Sequence, residues 1–329
     1  MAAETGHAME TFLSCDWGTS NFRLRLLRTA DVTVLAEVQT PAGVRQTAGT
    51  ATGCAREQAF ADYLAEQLAA LRQRHPFDPA STPLAISGMA SSTLGWRELP
   101  YAATPQPLDG SGLVVAPVGG LGPTWLISGL RHGDDVMRGE ETELLGLLHQ
   151  PAWQPWAAAG VVLLPGTHSK HVQARDGRVT GFRTYMTGEL FEAISRHTIL
   201  AHAVSEHHTL APDSPELAAF TAGVHEAAEG LTHALFALRT NRLFDRCSPS
   251  ANRARLSGLL IGAELLDLCR LHPAAPLLLA AGARQAPGYV AAAAALGLLP
   301  RLTQIPPAEV ALAACRGHAV LLQRLTLRG

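Results

Sequence analysis

Residues 13–25 read LSCDWGTSNFRLR, and this stretch decides the fold. Residues 11–15 are mostly apolar and predict a buried strand that ends at Asp16. Residues 23–27 alternate polar and apolar side chains, which is typical of a second strand. The small residues at 18–20 allow a tight reversal between the two strands. The stretch therefore predicts a β-hairpin with a carboxylate and two hydroxyl groups at its turn.

The turn of this hairpin has the chemistry of a phosphate site. Backbone N–H groups exposed in a tight turn can hold phosphate oxygens, and Gly18, Thr19 and Ser20 would supply them together with two hydroxyls. The carboxylate of Asp16 can hold a hard cation such as Mg²⁺, or the water shell of that cation. An ordinary glycine-containing hairpin that binds no ligand is the alternative that this stretch alone leaves open.

The second half of the chain repeats this layout. An apolar strand at 161–164 precedes the small, hydroxyl-rich turn PGTHSK at 165–170. The dipeptide Asp-Gly at 176–177 then joins two further strand patterns within 171–182, and Asp-Gly between such segments is a strong hairpin signal. In the first half the corresponding third strand is predicted at 32–38. Each half thus opens with a strand, a phosphate-type turn and a two-strand hairpin, which indicates a duplicated unit.

Between these motifs the chain alternates predicted helices and strands. Apolar residues at helical spacing predict a helix over 57–74 that ends before Pro76. Further helices are predicted at 216–243, 256–271 and 309–325, and buried strands at 84–87, 125–128 and 276–281.

This alternation predicts an α/β protein of about two domains, for which 329 residues are sufficient. An Ala-rich stretch bounded by prolines at 151–159 predicts the link between them. We therefore expect a loose tail at 1–9, an N-terminal domain at 10–158 with the first turn, and a C-terminal domain at 159–329 with the second turn.

The composition indicates a protein of a reducing, aqueous compartment. Lys and Arg total 26 against 28 for Asp and Glu, so the net charge of −2 offers no polybasic surface for nucleic acid or anionic lipid. The five cysteines form no Cys-x-x-Cys pair, which argues against a disulfide framework or a zinc site. We find neither a signal-peptide pattern nor an apolar run long enough to span a bilayer. We expect a cytoplasmic protein with neither a nucleic-acid nor a membrane partner.

Three further segments, together with residues 16–20, resemble one enzyme family. They are ISGMASS at 86–92, DVMRGEET at 135–142 and LPGTHSK at 164–170. In this order they resemble the 2-dehydro-3-deoxygalactonokinase family, which belongs to the superfamily of sugar kinases, Hsp70 and actin. The match runs along nearly the whole chain. One departure is His171, where the family favours an aromatic residue, and we expect it to affect packing beside the turn more than the chemistry.

The resemblance implies both a fold and a reaction. The fold is α/β, with two ribonuclease-H-like domains of the sugar kinase/Hsp70/actin type and the active site in the interdomain cleft. The reaction is phosphorylation of the 6-hydroxyl of 2-dehydro-3-deoxy-D-galactonate by ATP with Mg²⁺, a step in galactose and galactonate catabolism. Domain closure would exclude water, which otherwise competes as the acceptor. The implied partner is a small sugar acid, and a homodimer is a possible assembly.

Asp135 is the candidate catalytic base. Phosphorylation of a primary alcohol requires a group that aligns the hydroxyl and accepts its proton, and a positioned carboxylate does both. A helix-capping role is the alternative for Asp135, and His168 is the rival candidate for the base. Many relatives with this fold place an Asp in the second turn, whereas this chain has none there, so the base must lie elsewhere.

The segment around Asp135 also carries candidate substrate ligands. Arg138 could bind a substrate carboxylate through two hydrogen bonds, or could pair with Glu140 and Glu141. The two glutamates could contact the substrate, or could only occupy the first turn of a helix, where acids offset the helix dipole.

A second predicted substrate segment runs from Gly88 through Met89 to Ser91, and its polar groups could contact the hydroxyls of a small sugar acid. Trp96 could form an apolar wall of the same site or pack in the core.

The expected ATP ligands of the second half lie in two places. Gly166 and Thr167 belong to the second turn, where Lys170 offers a point charge for a β- or γ-phosphate. A solvated lysine at a strand edge is the alternative for Lys170. Gly282 and Ala283 follow a buried strand, and the resemblance implies that they pack against adenosine, since a glycine allows close approach of the backbone to the base.

The sequence lacks the motifs of two other nucleotide-binding folds. The chain contains no Gly-x-x-x-x-Gly-Lys-[Ser/Thr] P-loop, and the glycines at 119–122 lack the spacing of a dinucleotide site. Two alternatives stay open, a kinase for another sugar or sugar acid such as 2-dehydro-3-deoxygluconate, and an ATP-gated binding module of the same fold. The galactonate and gluconate derivatives differ at a single hydroxyl, and the sequence does not distinguish between them.

Overall fold

The computed structural model describes residues 9–326. Its strands are β1 (Thr11–Trp17), β2 (Phe22–Arg28), β3 (Val34–Thr40), β4 (Leu84–Gly88), β5 (Ala102–Ala103), β6 (Gln106–Pro107), β7 (Val115–Val118), β8 (Thr124–Ile127), β9 (Leu130–His132), β10 (Asp135–Met137), β11 (Ala159–Leu164), β12 (Ser169–Arg175), β13 (Arg178–Tyr185), β14 (Leu277–Leu279) and β15 (Leu302–Gln304). Its α-helices are α1 (Val44–Ala48), α2 (Gly53–Arg74), α3 (Glu140–Leu148), α4 (Gln154–Ala158), α5 (Thr187–His197), α6 (Pro215–Glu226), α7 (Leu231–Leu243), α8 (Pro249–Leu271), α9 (Ala286–Ala295), α10 (Pro307–Val310) and α11 (Ala313–Thr326).

Two mixed sheets confirm the predicted α/β class. The first has the order β3-β2-β1-β4-β8-β7, in which β1 pairs antiparallel with β2 and parallel with β4. The second has the order β15-β14-β11-β12-β13-β6, in which β11 pairs antiparallel with β12 and parallel with β14. In each sheet the first strand of the hairpin thus lies between its antiparallel partner and a parallel strand. This recurrence matches the duplicated unit that the sequence pattern indicates.

The predicted elements are largely present, with differences at their ends. The helix predicted over 57–74 begins at Gly53, and the region 216–243 forms two helices that are separated at Gly230, where φ is +111°. The Asp-Gly turn at 176–177 has φ values of +50° and +70°, as its hairpin requires. The strand predicted over 276–281 is shorter, and the helix predicted at 309–325 is divided into α10 and α11.

The described chain divides into two compact units. One holds the residues up to 157, residues 177–180 and those from 311 onward, and the other holds residues 158–176 and 181–310. The expected C-terminal domain at 159–329 includes the last helix, whereas α11 groups with the first unit. The predicted tail at 1–9 lies outside the described residues except for Met9, which packs against apolar side chains of the first unit.

Helix α11 joins the first unit through a close crossing with α3. A Cβ at Gly317 would lie 2.0 Å from the carbonyl oxygen of Thr142, and a Cβ at Gly146 would lie 2.0 Å from that of Ala313. Because glycines occupy both positions, the two helix backbones can approach to contact. This crossing fixes α3, whose first turn carries several of the candidate site residues.

Within residues 9–326, no helix combines the length and the apolar character that crossing a membrane requires.

Candidate active site

The first turn is supported by the start of a short helix. Within the turn, the N–H of Gly18 donates to the carbonyl oxygen of Asn21 at 2.9 Å. The N–H of Val44 donates to the carbonyl oxygen of Gly18 at 3.0 Å. A Cβ at Gly43 would lie only 2.3 Å from the carbonyl oxygen of Thr19, so a larger residue there would displace the turn. Gly43 lies more than twenty residues from this turn in the chain, and no sequence motif points to it.

Asp16 lies on β1 beside a glycine that tolerates no side chain. The parallel pairing of β1 with β4 sets Asp16 opposite Ser87 and Trp17 opposite Gly88. Gly88 has φ +85° and ψ −150°, a conformation that residues with a side chain avoid. A Cβ there would lie 2.9 Å from the carbonyl oxygen of Trp17 and 3.3 Å from Oδ1 of Asp16. The predicted substrate residue Gly88 therefore adjoins the predicted metal ligand Asp16.

The first turn of α3 adds further carboxylates to this place. Gly139, with φ +110°, would carry a Cβ 3.4 Å from the Cα of Gly88. Glu140 accepts from the N–H of Arg138 at 3.0 Å, and Glu141 accepts from the N–H of Gly139 at 2.7 Å. Both glutamates lie in the first turn of α3, which is the alternative that the sequence left open for them, and each also accepts a backbone N–H there.

Burial and neighbouring charges shift the pKa values of the carboxyl groups near Asp16. The pKa of Asp16 is raised, and burial is the largest cause. The charges of Arg23 and Arg25 act to lower this pKa, and the charge of Glu140 acts to raise it. Burial, and then the charge of Asp16, raise the pKa of Glu143 to about 8.

Burial and the charge of Glu140 likewise raise the pKa of Glu141 to about 8. The raised pKa values of Glu141 and Glu143 follow from burial among like charges, which disfavours the ionised form of these carboxyl groups. Glu143 lies one helical turn after Glu140, and no sequence motif points to it.

The residues around Asp16 fit a magnesium ion held mainly by ATP. In the part of the chain that the structure describes, no group of three His, Cys, Asp or Glu side chains is placed to hold a metal ion. Mg²⁺ commonly takes one or two protein carboxylates and completes its shell with waters and phosphate oxygens. A single carboxylate just before the phosphate turn is consistent with that mode.

Arg138 connects α3 to the predicted substrate loop. Its Nη1 donates to the carbonyl oxygen and to Oγ of Ser91, both at 2.6 Å, and its Nη2 donates to the carbonyl oxygen of Leu99 at 3.3 Å. The guanidinium also lies 4.1 Å from the ring centroid of Tyr101. The side chain of Arg138 thus binds the loop, whereas Glu140 accepts from its backbone. Ser91 also donates to the carbonyl oxygen of Ile127 at 2.6 Å, so the loop is held from two sides.

Asp135 lies on β10, in a small sheet of the order β10-β9-β5, opposite His132. It is half-buried and precedes Gly139 by four residues. Its place on a strand differs from that of a helix cap, because α3 has Gly139 as its N-cap.

Met89 and Trp96, in the segment that follows β4, are buried to different degrees. Met89 is half-buried and packs against the core of the first unit. Trp96 is 2% exposed and lies 6.1 Å from Phe60 in a stacked pair of rings. Of the two roles considered for Trp96, the structure supports packing.

The second turn has a support of the same kind as the first. A Cβ at Gly188, the second residue of α5, would lie 2.5 Å from the carbonyl oxygen of Gly166 and 2.8 Å from the Cα of Thr167. The N–H of Glu189 donates to the carbonyl oxygen of Thr167 at 3.0 Å. In both halves a glycine that follows the third strand of the repeated unit, β3 or β13, contacts the turn.

His168 and Lys170 flank this turn differently. His168 is exposed, and its Nε2 lies 2.6 Å from Oε2 of Glu189. Lys170 is 4% exposed and pairs with Leu164 across the hairpin. The alternative of a solvated lysine at a strand edge is therefore wrong, because the side chain is buried.

The predicted adenosine segment follows β14. The carbonyl oxygen of Gly282 accepts from the N–H of Gln285 and of Ala286, both at 3.0 Å, and so begins α9. A Cβ at Gly282 would meet only the flexible side chain of Gln285, at 3.1 Å, and Ala283 is exposed. The segment is thus open around Gly282 and Ala283.

His171 has a polar partner that the sequence does not reveal. It is 3% exposed, its Nε2 lies 2.8 Å from Oε1 of Glu264, and its ring centroid lies 4.5 Å from that of Tyr185. We expected His171 to affect packing more than the chemistry, and the structure adds a polar contact with a buried carboxylate.

Comparison with known proteins finds one family over nearly the whole chain. Residues 16–316 match the model of the 2-keto-3-deoxy-galactonokinase family. A probable 2-dehydro-3-deoxygalactonokinase, DgoK1, from Rhizobium meliloti (strain 1021) is 40% identical over 262 residues, which are 77% of this chain and 79% of the relative. The 2-dehydro-3-deoxygalactonokinase of Escherichia coli (strain K12) is 30% identical over 263 residues, 78% of this chain and 80% of the relative.

A solved structure agrees with these sequence matches. The crystal structure of a candidate 2-dehydro-3-deoxygalactonokinase from Sinorhizobium meliloti superposes with a TM-score of 0.78 and 34% identity. The match covers 95% of this chain and 99% of that chain.

Proposed function

The chain belongs to the 2-keto-3-deoxy-galactonokinase family, and from this premise we propose that it transfers the γ-phosphoryl group of ATP to the 6-hydroxyl of 2-dehydro-3-deoxy-D-galactonate. The observation that carries the proposal is the match to the family over residues 16–316, which includes both hydroxyl-rich turns and the carboxylates near Asp16. The reaction is a step of galactonate catabolism. ATP is the co-substrate that the kinase family implies.

The two turns would hold the phosphates. The N–H of Gly18 is used within its own turn, so phosphate contacts in the first half fall to Thr19 and Ser20. In the second half they fall to Thr167 and Lys170, with Gly166 allowing close approach. Asp16 would hold Mg²⁺, which when bound neutralises phosphate charge. Gly282 and Ala283 would contact adenosine.

The sugar acid would bind beside α3. Arg138, already fixed against Ser91 and Tyr101, presents a cation whose position is set before the substrate arrives. Gly88 and Met89 would line the same place, and Glu140 and Glu141 would shape its edge through the start of α3. A carboxylate substrate would be drawn to Arg138 and repelled by the acids, which favours one orientation.

Asp135 would align the 6-hydroxyl and accept its proton as the oxygen attacks the γ-phosphorus in line. Transfer to a neutral alcohol releases one proton, and a carboxylate is a suitable acceptor at neutral pH. His168 is the rival base, and its contact with Glu189 would hold the imidazole in one orientation.

The direct test is acceptor-dependent release of ADP by the purified protein with MgATP. We expect turnover with 2-dehydro-3-deoxygalactonate, and no more than a small background without an acceptor. Equal turnover with 2-dehydro-3-deoxygluconate would retain the kinase and broaden its substrate class. Nucleotide binding without turnover on any sugar acid would favour the ATP-gated binding module instead.

Two substitutions separate the proposed roles. Asp16→Asn and Asp135→Asn should each lower kcat by orders of magnitude without unfolding the protein. If Asp135→Asn turns over normally while His168→Gln does not, the base is His168.

The finer features that the family resemblance implies are part of the same proposal. They are the ribonuclease-H-like character of each unit, an active site in a cleft between domains, a cytoplasmic location and a homodimer. Sedimentation velocity of the purified protein tests the last of these.

A further inference from the structure

A buried carboxylate in the second unit accepts hydrogen bonds from three different elements. Glu264, on α8, is 2% exposed. Its Oε1 accepts from Nε2 of His171 on β12, and its Oε2 accepts from the hydroxyl of Tyr289 on α9, both at 2.8 Å. Oε2 also accepts from the hydroxyl of Thr187, the first residue of α5. A buried charge with this many donors is held in one position, because moving any donor leaves part of the charge unsatisfied.

The hydrogen bonds run in one direction from the second turn to this carboxylate. Tyr289 donates its only hydroxyl proton to Glu264, so in its 2.9 Å contact with Ser169 the donor is Ser169. The hydroxyl oxygen of Ser169 in turn faces the N–H of Gly166 at 3.5 Å. The chain of donors therefore links the turn assigned to phosphate with α8.

Tyr289 and Thr187 connect the same carboxylate to the segments that flank the turn. Tyr289 lies one helical turn after Ala286, where α9 begins just behind the segment assigned to adenosine. Thr187 precedes Gly188, the glycine that contacts the second turn. The two carboxylate oxygens of Glu264 thus hold both the start of α9 and the residue beside the glycine that supports the turn.

We propose that Glu264 is a positioning residue for the nucleotide, which sets the spacing between the second phosphate turn and the adenosine segment. This inference rests on the proposed function, because it takes ATP to bind at Gly166 and Gly282. ATP has to contact both places at once. A change in their spacing therefore weakens the binding of the nucleotide and leaves the binding of the sugar acid unchanged.

Tyr289→Phe breaks the chain of donors and keeps the ring. We expect the KM for ATP to rise about ten-fold, the scale of one lost hydrogen bond to a charge. The Kd of a non-hydrolysable MgATP analogue, measured by calorimetry, should rise by the same factor. The KM for the sugar acid should change less than about two-fold.

Tyr185→Phe is the matched control. The hydroxyl of Tyr185 donates to Asp267 on the same helix at 2.7 Å, rather than to Glu264. The control therefore removes a tyrosine hydroxyl bonded to a carboxylate of α8 and leaves the chain from Ser169 to Glu264 in place. We expect its nucleotide affinity to equal that of the wild type.

Ser169→Ala and the double variant with Tyr289→Phe complete the test. Each single variant should weaken nucleotide binding, and the double variant should weaken it no more than the stronger single one, because both break the same chain. Glu264→Gln should have the largest effect, and the single hydroxyl deletions carry the test if that variant does not fold.

Unchanged nucleotide affinity in Tyr289→Phe overturns the inference, as does an equal loss in Tyr185→Phe. Equal weakening of nucleotide and sugar acid also overturns it, since general destabilisation would produce that result. A wild-type protein that binds no MgATP analogue would overturn the proposed function as well, and that outcome is seen before any variant is compared.

Discussion

Lowering the pH from 7 to 5 should destabilise the protein by about 2 kcal/mol through one buried histidine. His318, on α11, is 0% exposed, and its Nδ1 lies 2.7 Å from Oγ of Ser14 on β1. Cys315, on the same helix, accepts from Ser14 at 3.5 Å and from Nη1 of Arg25 at 3.4 Å. Burial lowers the pKa of His318 from 6.5 to about 3.

The magnitude follows from the two pKa values. Between pH 6.5 and about pH 3, the unfolded chain binds a proton at His318 that the folded chain does not. The contribution to the free energy of unfolding is therefore complete above pH 6.5 and is lost as the pH falls toward 3. The slope is at most about 1.4 kcal/mol per pH unit, and integration from pH 7 to pH 5 yields about 2 kcal/mol.

Urea unfolding at pH 7, 6 and 5 measures this contribution by comparison with His318→Asn. The asparagine keeps a polar atom near the position of Nδ1 and does not titrate, so its cost from lost packing is the same at each pH. We expect the stability advantage of the wild type to shrink by about 2 kcal/mol between pH 7 and pH 5.

His149→Asn, at an exposed histidine of the same unit, controls for the loss of a histidine as such. The reasoning is refuted if the wild type and His318→Asn lose stability in parallel as the pH falls.

Three further substitutions test the packing around the candidate site. Gly43→Ala would place a Cβ 2.3 Å from the backbone of the first turn and should lower kcat/KM for ATP by roughly ten-fold or more. Gly119→Ala, with open space around its Cβ, is the control. Equal turnover of the two variants would contradict the role of Gly43. Gly317→Ala would place a Cβ 2.0 Å from the backbone of α3 and should lower the free energy of unfolding by about 1–3 kcal/mol in urea, an effect whose absence would show that α11 can shift freely. Arg138→Lys loses the fork of hydrogen bonds to the substrate loop and should raise the KM for the sugar acid about ten-fold with the KM for ATP unchanged, so a change in the KM for ATP alone would remove Arg138 from the acceptor site.

The repeated hairpins could be predicted because their signals are local. The alternation of side chains in β2, the Asp-Gly pair at 176–177 and the hydroxyl-rich turns lie within a few residues of the contacts they make. Strand pairing across a tight turn follows from such short patterns, since the turn itself sets the register. The same motifs carried the resemblance to the kinase family, and the comparisons show that family.

The supporting residues of the site could not be predicted in this way. Glu264 contacts His171 across 93 positions of the chain, and Gly43 meets a turn that ended more than twenty residues earlier. A glutamate in an amphipathic helix and a glycine after a strand have ordinary solvent-exposed roles in most sequences, so neither residue type signals its partner.

By itself, the sequence determined the α/β class, the two hydroxyl-rich turns and the family. Only the tertiary structure decided that Lys170 is buried, that Trp96 belongs to the core and that Glu143 shares the electrostatic field of Asp16. The physical reason is that the periodicity and turn chemistry of a chain act between neighbours, whereas burial and charge coupling depend on which distant elements pack together.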